Sequence, residues 1–226
     1  MFISDEVENA FEQVIRSWPS KLSWLIENNR MRLLWQIQKA RDLVPEGGRI
    51  VDIGGGIVPF MRTCQLLGYE TFLVDDFSDS MYAKPESEQV LRAIEESGTV
   101  CINCDVLELN LDYLPNDLAM VTSHDSMDHW HNSPKRLFTS LMAKMIPGGV
   151  FWIGVPNAVN LRKRLTVPFG RGKWSSMNDW YETKIFRGHV REPDVGDLGY
   201  IARDLGAARY LIEGKNWLGY RHSRRL

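Results

Sequence analysis

The stretch Val51-Asp52-Ile53-Gly54-Gly55-Gly56 governs how the rest of this chain reads. A short apolar run, Arg49 to Ile53, breaks abruptly into three glycines. Before it, apolar residues recur at helical spacing; after it, they come in short blocks separated by helical patterns. Glycines just past a strand let the backbone approach a ligand and open a helix whose N-terminus favours negative groups. Taken alone, such a turn belongs to several kinds of nucleotide-binding fold.

Working toward the N-terminus, Ser4 or Asp5 caps an amphipathic helix with Val7, Phe11, Val14, Ile15 and Trp18 on its apolar face, interrupted at Pro19. A second helical run goes from Ser20 to about Leu43, with Asn28-Asn29 as its weak point, and Pro45 to Gly48 is a turn. Working toward the C-terminus, a helix reaches about Leu67, and Tyr69 to Val74 is a second strand closed by Asp75-Asp76. Pro85 to Ser97 reads as helix, Thr99 to Asn103 as strand, Asp117 to Thr122 as strand, Pro134 to Met145 as helix and Gly149 to Val155 as strand. A helix over Asp194 to Gly206 and a strand over Arg209 to Ile212 close the pattern. Such alternation means right-handed βαβ units. The expected fold is a Rossmann-like three-layer α/β/α sandwich with a mostly parallel central sheet. Residues 1–45 form an N-terminal helical extension, and 46–226 the main domain with a lid at about 156–193, a length of irregular chain that is usually functional or disordered.

Composition narrows the function. At 226 residues with 44% hydrophobic and 25% charged residues, the chain is one α/β domain with small additions. A net charge of −2 gives no global pull toward nucleic acid. No apolar stretch approaches the roughly 20 residues of a membrane helix, and the N-terminus lacks a basic signal region, so a cytoplasmic location is expected. Cys64, Cys101 and Cys104 read as free thiols, since no second pair completes a four-thiolate zinc site.

The discriminating residue is Asp52. A dinucleotide would bring a doubly negative pyrophosphate to this turn, and at about 4 Å each carboxylate–phosphate pair costs on the order of 4 kcal/mol at an effective dielectric near 20. Pro59 also stands where the dinucleotide motif wants a small residue. S-adenosylmethionine presents an α-ammonium and a sulfonium instead, so the acid matches its charge. Asp75, the first residue off the second strand, is placed to accept hydrogen bonds from ribose hydroxyls, with Asp76 a solvated neighbour. Phe77 either lies against an adenine or packs. Asp105 either accepts a hydrogen bond from the adenine amino group, beside Val106, or caps a helix. Ser123, at the end of the fourth strand, joins this set.

The ordered series of Asp52-x-Gly54-x-Gly56, an acidic end to the second strand, Asp105 after the third, and Pro147-Gly148-Gly149 before the fifth resembles class I S-adenosylmethionine-dependent methyltransferases over about Arg49 to Val155. The resemblance implies that Asp52, Gly54, Gly55 and Gly56 surround the methionine moiety, Asp75 the ribose and Asp105 the adenine. Val58 stands where the family often has a third glycine. The family also usually has an antiparallel seventh strand, for which only Lys215 to Leu226 remain.

On the acceptor side, His124-Asp125-Ser126-Met127-Asp128-His129-Trp130-His131 follows the fourth strand, where a parallel sheet faces its ligand crevice. Asp128-His129 resembles the acid-His of many small-molecule and sugar methyltransferases. Methyl transfer to a hydroxyl needs an aligned nucleophile and removal of its proton, which suits histidine. His129 is the expected general base, oriented by Asp125 or Asp128. Capping of the next helix is the alternative role. A metal held by Asp125, Asp128 and His129 is set aside because no further ligand is evident.

In the lid, Arg162, Lys163, Arg164, Arg171 and Lys173 form a basic run without an intervening acid, either a solvated face or a site for a phosphate or carboxylate. Phe186-Arg187-Gly188-His189-Val190-Arg191-Glu192 resembles the lid-to-helix junction of bacterial methyltransferases of polysaccharide and other glycan pathways. By that resemblance His189 and Arg191 face the active site. Trp174, Trp180 and Tyr181 are either a stacking wall for a sugar or packing anchors. Trp18, Trp24 and Trp35 of the N-terminal helices either pack, cover the cofactor, touch a lipid-linked acceptor or make a homodimer contact. The leading expectation is an O-methyltransferase of a sugar hydroxyl in a glycan or a nucleotide- or lipid-linked precursor. The others are a small-metabolite O- or N-methyltransferase, a nicotinamide-dependent oxidoreductase that Asp52 and Pro59 disfavour, and a non-catalytic cofactor-binding subunit.

Overall fold

A computed structural model describes residues 2–79, 82, 85–171 and 175–217 of the chain. Its centre is a five-stranded sheet in the order β3-β2-β1-β4-β5, with β1 (Gly48–Ile53), β2 (Tyr69–Asp75), β3 (Val100–Asn103), β4 (Leu118–His124) and β5 (Met145–Gly154). All four strand pairs are parallel. The two-residue period of each strand divides its side chains between two faces. Ile50, Leu73 and Met120 join one core with α1 (Asp5–Arg16), α3 (Arg30–Leu43), α4 (Phe60–Leu66) and α5 (Pro85–Glu96). Val51, Phe72, Val74 and Val121 join the other, against α6 (Lys135–Ala143) and α9 (Val195–Asp204). The result is the expected Rossmann-like three-layer fold, with the sheet wholly parallel.

The N-terminal helices belong to the first of these cores. Phe11 of α1 and Ile37 of α3 are fully buried with Phe60 of α4, each such side chain contributing about 1.5–3 kcal/mol by burial. The Ser4 hydroxyl caps α1 by accepting from Val7 N–H, and the second helical run breaks at Asn28-Asn29, between α2 (Ser23–Glu27) and α3. Trp18 is buried, Trp24 is exposed, and Trp35 meets Trp152 of β5 edge-on at 5.5 Å. Cys64, Cys101 and Cys104 are free thiols.

Three readings differ from the sequence expectation. Strand β5 starts four residues earlier than the expected Gly149, because Met145 pairs with Leu118 instead of ending the helix before it. Strand β4 runs two residues further, because Ser123 and His124 continue the ladder against Ile153 and Gly154. The strand expected over 209–212 does not form: Tyr210 and Leu211 are exposed and pair with no strand among the described residues. Residues 218–226, most of the segment left for a seventh strand, lie outside the described residues, as does Trp174. Among the described residues no helix is long and apolar enough to cross a membrane.

Candidate functional site

The strand order reverses between β1 and β4, and a parallel sheet opens its ligand crevice at the carboxyl ends there. Asp52 on β1 and Thr122 on β4 are register partners pointing to the same face. The Thr122 hydroxyl donates to Asp52 Oδ1 at 2.8 Å, and Asp52 is only 2% exposed. Burial pushes its carboxyl up to about 7, with nearby Asp75 adding to the rise and the Thr122 hydrogen bond opposing it. No cationic side chain pairs with Asp52 among the described residues.

The glycine turn closes around this acid. A Cβ on Gly55 would stand 2.1 Å from Asp52 Oδ2, so only glycine fits. Gly54 and Gly56 adopt φ of +69° and +62°, and a Cβ on Gly54 would collide with the Ser126 hydroxyl beyond β4. The turn is tied to β2: Gly56 N–H donates to Asp75 Oδ2 at 2.9 Å, and Phe77 N–H to Asp75 Oδ1 at 2.7 Å. Asp75 is therefore not a residue off the strand but its buried last member, raised by burial against these two amide hydrogen bonds. Asp76, expected to be solvated, accepts from Arg187 of the lid at 3.0 Å, while its main-chain neighbour Phe77 sits at φ 45°, a strained value for a bulky residue. Phe77 also packs edge-on to Tyr82 at 6.0 Å. Asp105 caps the short 3-10 turn Val106–Glu108 through Leu107 N–H, with Val106 buried beneath it. Ser123 is buried and donates to the Ile53 carbonyl at 3.0 Å.

Beyond β4 the side chains separate by environment. His124 has both ring nitrogens buried and unpartnered against Phe60 and Trp152, and burial pushes it down to about 3, so it is a neutral core imidazole. Asp125, at φ 50°, turns its carboxylate to Arg32 of α3. It is Asp128, fully buried, that lies against the imidazoles: Oδ2 is 3.5 Å from His129 Nε2 and 3.2 Å from His189 Nε2. Burial raises the Asp128 carboxyl, while the two histidines pull it the other way.

The lid reaches this loop through its backbone. Val190 and Arg191 N–H both donate to the Asp128 carbonyl, at 2.7 and 3.1 Å. His129 Nδ1 meets the Arg187 carbonyl at 2.6 Å, and His131 Nε2 the Phe186 carbonyl at 3.2 Å. His189 Nδ1 contacts Glu192 Oε1 at 2.8 Å, and Glu192 pairs with the buried Lys163. Burial raises the Glu192 carboxyl, but those hydrogen bonds outweigh it and hold it below the usual carboxylate range.

The structure thus brings together Asp128, His129 and His189, and separately Asp52, Gly54, Gly55, Gly56 and Asp75. It does not bring the expected arginines to either group. Arg191 sends its guanidinium to Asp197 on α9, Arg164 donates to the Val159 carbonyl, and Arg162 is exposed. Trp180 and Tyr181 are exposed on α8 (Met177–Tyr181). Sequence reasoning missed Thr122, Ser126, Arg187 and Glu192. Only Glu192 carried a local signal, its i,i+3 spacing from His189.

No protein-family model matches the chain, and no curated protein matches it. Solved structures do resemble it. The magnesium protoporphyrin IX methyltransferase ChlM of Synechocystis PCC 6803, solved with bound SAH, superposes with a TM-score of 0.55 at 11% identity, over 94% of this chain and 90% of that one. The PH0226 protein of Pyrococcus horikoshii OT3 gives 0.54 at 17% identity, over 88% of both chains. The mitomycin 7-O-methyltransferase MmcR gives 0.50 at 14% identity, over 93% of this chain and 65% of that one. At these identities the likeness is one of fold.

Proposed function

We propose that the chain is a methyltransferase that takes its methyl group from S-adenosylmethionine and passes it to a small acceptor. One observation carries the reading: Asp52 is a buried carboxyl beneath a turn of three glycines that leaves space for backbone only, with no cationic side chain to neutralise it among the described residues. A ligand with a positive amino-acid tail fits that vacancy in charge, and an anionic diphosphate does not. The discrimination is gentler than a permanently ionised acid would give, since a carboxyl near half-protonation at neutral pH can also be silenced by a proton. Asp75, held beside it in the same turn, adds a second acid that disfavours phosphate.

S-adenosylmethionine supplies an electrophilic methyl carbon on a sulfonium, with a neutral thioether as leaving group. The residues of this chain would do the rest. Gly54, Gly55 and Gly56 let the main chain come up to the methionine part. Asp75 accepts from Gly56 and Phe77 N–H, and Asp76 from Ser78 N–H and Arg187, so the two acids at the end of β2 would share the ribose hydroxyls through their remaining acceptor positions. Phe77, Asp105, Val106 and Ser123 would line the nucleoside end. Asp128, His129 and His189 would act on the acceptor and its proton, held in place by the lid backbone. The solved fold relatives ChlM and MmcR are themselves methyltransferases, the second an O-methyltransferase, which supports the reaction class.

For the acceptor we favour a sugar hydroxyl in a glycan or a nucleotide- or lipid-linked precursor. The support is the exposed aromatic and basic character of the lid, which carries Phe169, Trp180 and Tyr181 as well as Arg162 and Arg164 on its surface. A methyl-release assay across sugar nucleotides, glycan fragments and small phenolic or amine metabolites tests this. Turnover on the sugar panel supports it, and turnover confined to the metabolites replaces it with a small-metabolite methyltransferase.

A further inference from the structure

Asp128 is fully buried, yet neither of its carboxylate oxygens accepts a hydrogen bond among the described residues. A buried carboxylate without donors is costly and calls for a partner. What faces it is a pair of imidazole nitrogens, Nε2 of His129 at 3.5 Å and Nε2 of His189 at 3.2 Å. The other nitrogen of each ring is already committed. His129 Nδ1 meets a carbonyl and His189 Nδ1 a carboxylate, both acceptors only, so each Nδ1 carries the hydrogen. In the neutral rings each Nε2 is therefore without a hydrogen and lies beside a carboxylate oxygen. Three electron-rich atoms cluster there, with no cationic side chain among them in the described residues.

We propose that Asp128, His129 and His189 bind a divalent metal ion of the zinc class, with a coordination position left for water or an acceptor oxygen. The one ligand atom offered by each residue lies within 4.8 Å of the other two. Ligands of a tetrahedral ion at its usual bond lengths stand about 3.3–3.6 Å apart; the Asp128–His129 distance of 3.5 Å falls in that range and the Asp128–His189 distance of 3.2 Å just below it. Two imidazoles and one carboxylate suit zinc, cobalt or iron and are a poor set for magnesium or calcium. Three protein ligands with an open position are the pattern of catalytic rather than structural zinc.

The surroundings fit the same purpose. Metal-bound histidines commonly donate their second ring N–H to a carbonyl or carboxylate, which fixes the tautomer; Arg187 and Glu192 supply those acceptors, and Lys163 holds Glu192 in turn. The site joins the loop after β4 to the lid, since Val190 and Arg191 N–H bind the Asp128 carbonyl. A metal there would pin the lid over the crevice. Metal binding by these residues can be read without any methyl transfer. Its meaning for the acceptor, as the group that holds the acceptor oxygen and eases loss of its proton, rests on the proposed function.

The test is cobalt substitution in the full-length protein, stripped with a chelator and titrated with Co2+ and then Zn2+. One equivalent of cobalt with visible d–d bands, displaced by one equivalent of zinc, is expected. His189→Ala should abolish the bands, and Glu192→Ala should weaken zinc affinity by about 10–100-fold. His189→Cys guards against a merely misfolded variant, because it should add an intense thiolate-to-cobalt band that no structural role would produce. No bands, or bands indifferent to all three substitutions, overturns the proposal. Metal binding without S-adenosylmethionine binding would sink the methyltransferase reading alone, and the reverse result would sink the metal site alone.

Discussion

Thr122 Oγ1 donates to Oδ1 of Asp52 at 2.8 Å across the β4–β1 ladder, the one side-chain hydrogen bond recorded for this buried acid among the described residues. A single neutral donor leaves the carboxyl raised to about 7 from an ordinary 3.8. Between those values the native chain keeps a proton that the unfolded chain has released. Folding stability therefore falls as pH rises from about 4 to 7 and stays lowered above, by at most about 4 kcal/mol. Asp52→Asn keeps an acceptor for Thr122 and removes that penalty. The variant should melt higher than the parent at pH 8, with the gap closing at pH 4, and lose most of its S-adenosylmethionine affinity. Calorimetric melting at the two pH values checks it; a variant less stable at pH 8 means that Asp52 is not strained by burial.

The same acid makes the parent's cofactor affinity depend on pH. A cationic ligand prefers the ionised carboxyl, so affinity should climb as pH rises from about 6 to 7.5, below the range in which the ligand's own α-ammonium loses its proton. Titration calorimetry at three pH values reads this, and a flat profile removes Asp52 from the binding site.

Gly55→Ala places a methyl group where Asp52 Oδ2 now lies. Asp52 cannot move freely, since it is buried and tied to Thr122. A stability loss of about 1–3 kcal/mol is expected, with cofactor binding lost beyond it. Denaturant unfolding with and without ligand separates the two effects. Normal ligand stabilisation would show that the turn is not a binding surface.

His129→Ala should leave cofactor affinity nearly intact while turnover falls by roughly 100-fold or more. Steady-state kinetics beside a binding isotherm measures both. Unchanged turnover would remove the residue from the chemistry.

Arg187 bridges the lid to Asp76 and Ser78 beyond β2. The contact is half-exposed, so Arg187→Ala should cost no more than about 1 kcal/mol of global stability. It should nevertheless speed amide exchange over residues 186–192 and raise the acceptor KM. Exchange rates identical to the parent would mean that the bridge does not hold the lid.

The layered fold was legible because its signals are local. Period-two apolar runs alternating with helical ones specify βαβ units wherever the chain is read, and β1 with its glycines needed no distant information. The strand expected over 209–212 failed for the complementary reason. Its residues favour extended backbone, but an extended segment becomes a strand only beside a partner, and none is offered to Tyr210 or Leu211 among the described residues.

The site divides along the same line. Asp52, Asp128 and His129 stand out as titratable residues at or just past strand ends. Thr122 does not, because its role exists only through the register that sets it opposite Asp52. The meeting of His189 with Asp128 is made by lid amides some sixty residues downstream, and Arg191 turns away toward Asp197 although its own N–H serves the same carbonyl. Long-range hydrogen bonds of this kind leave no periodicity in a sequence.

The most direct test of the account is titration calorimetry of the full chain at pH 8 with S-adenosylmethionine, S-adenosylhomocysteine and NAD. Saturable binding of both sulfur compounds, abolished by Asp52→Asn, with no heat from NAD, is the predicted result. Binding of NAD alone, or sulfur-compound affinity indifferent to Asp52→Asn, would contradict it.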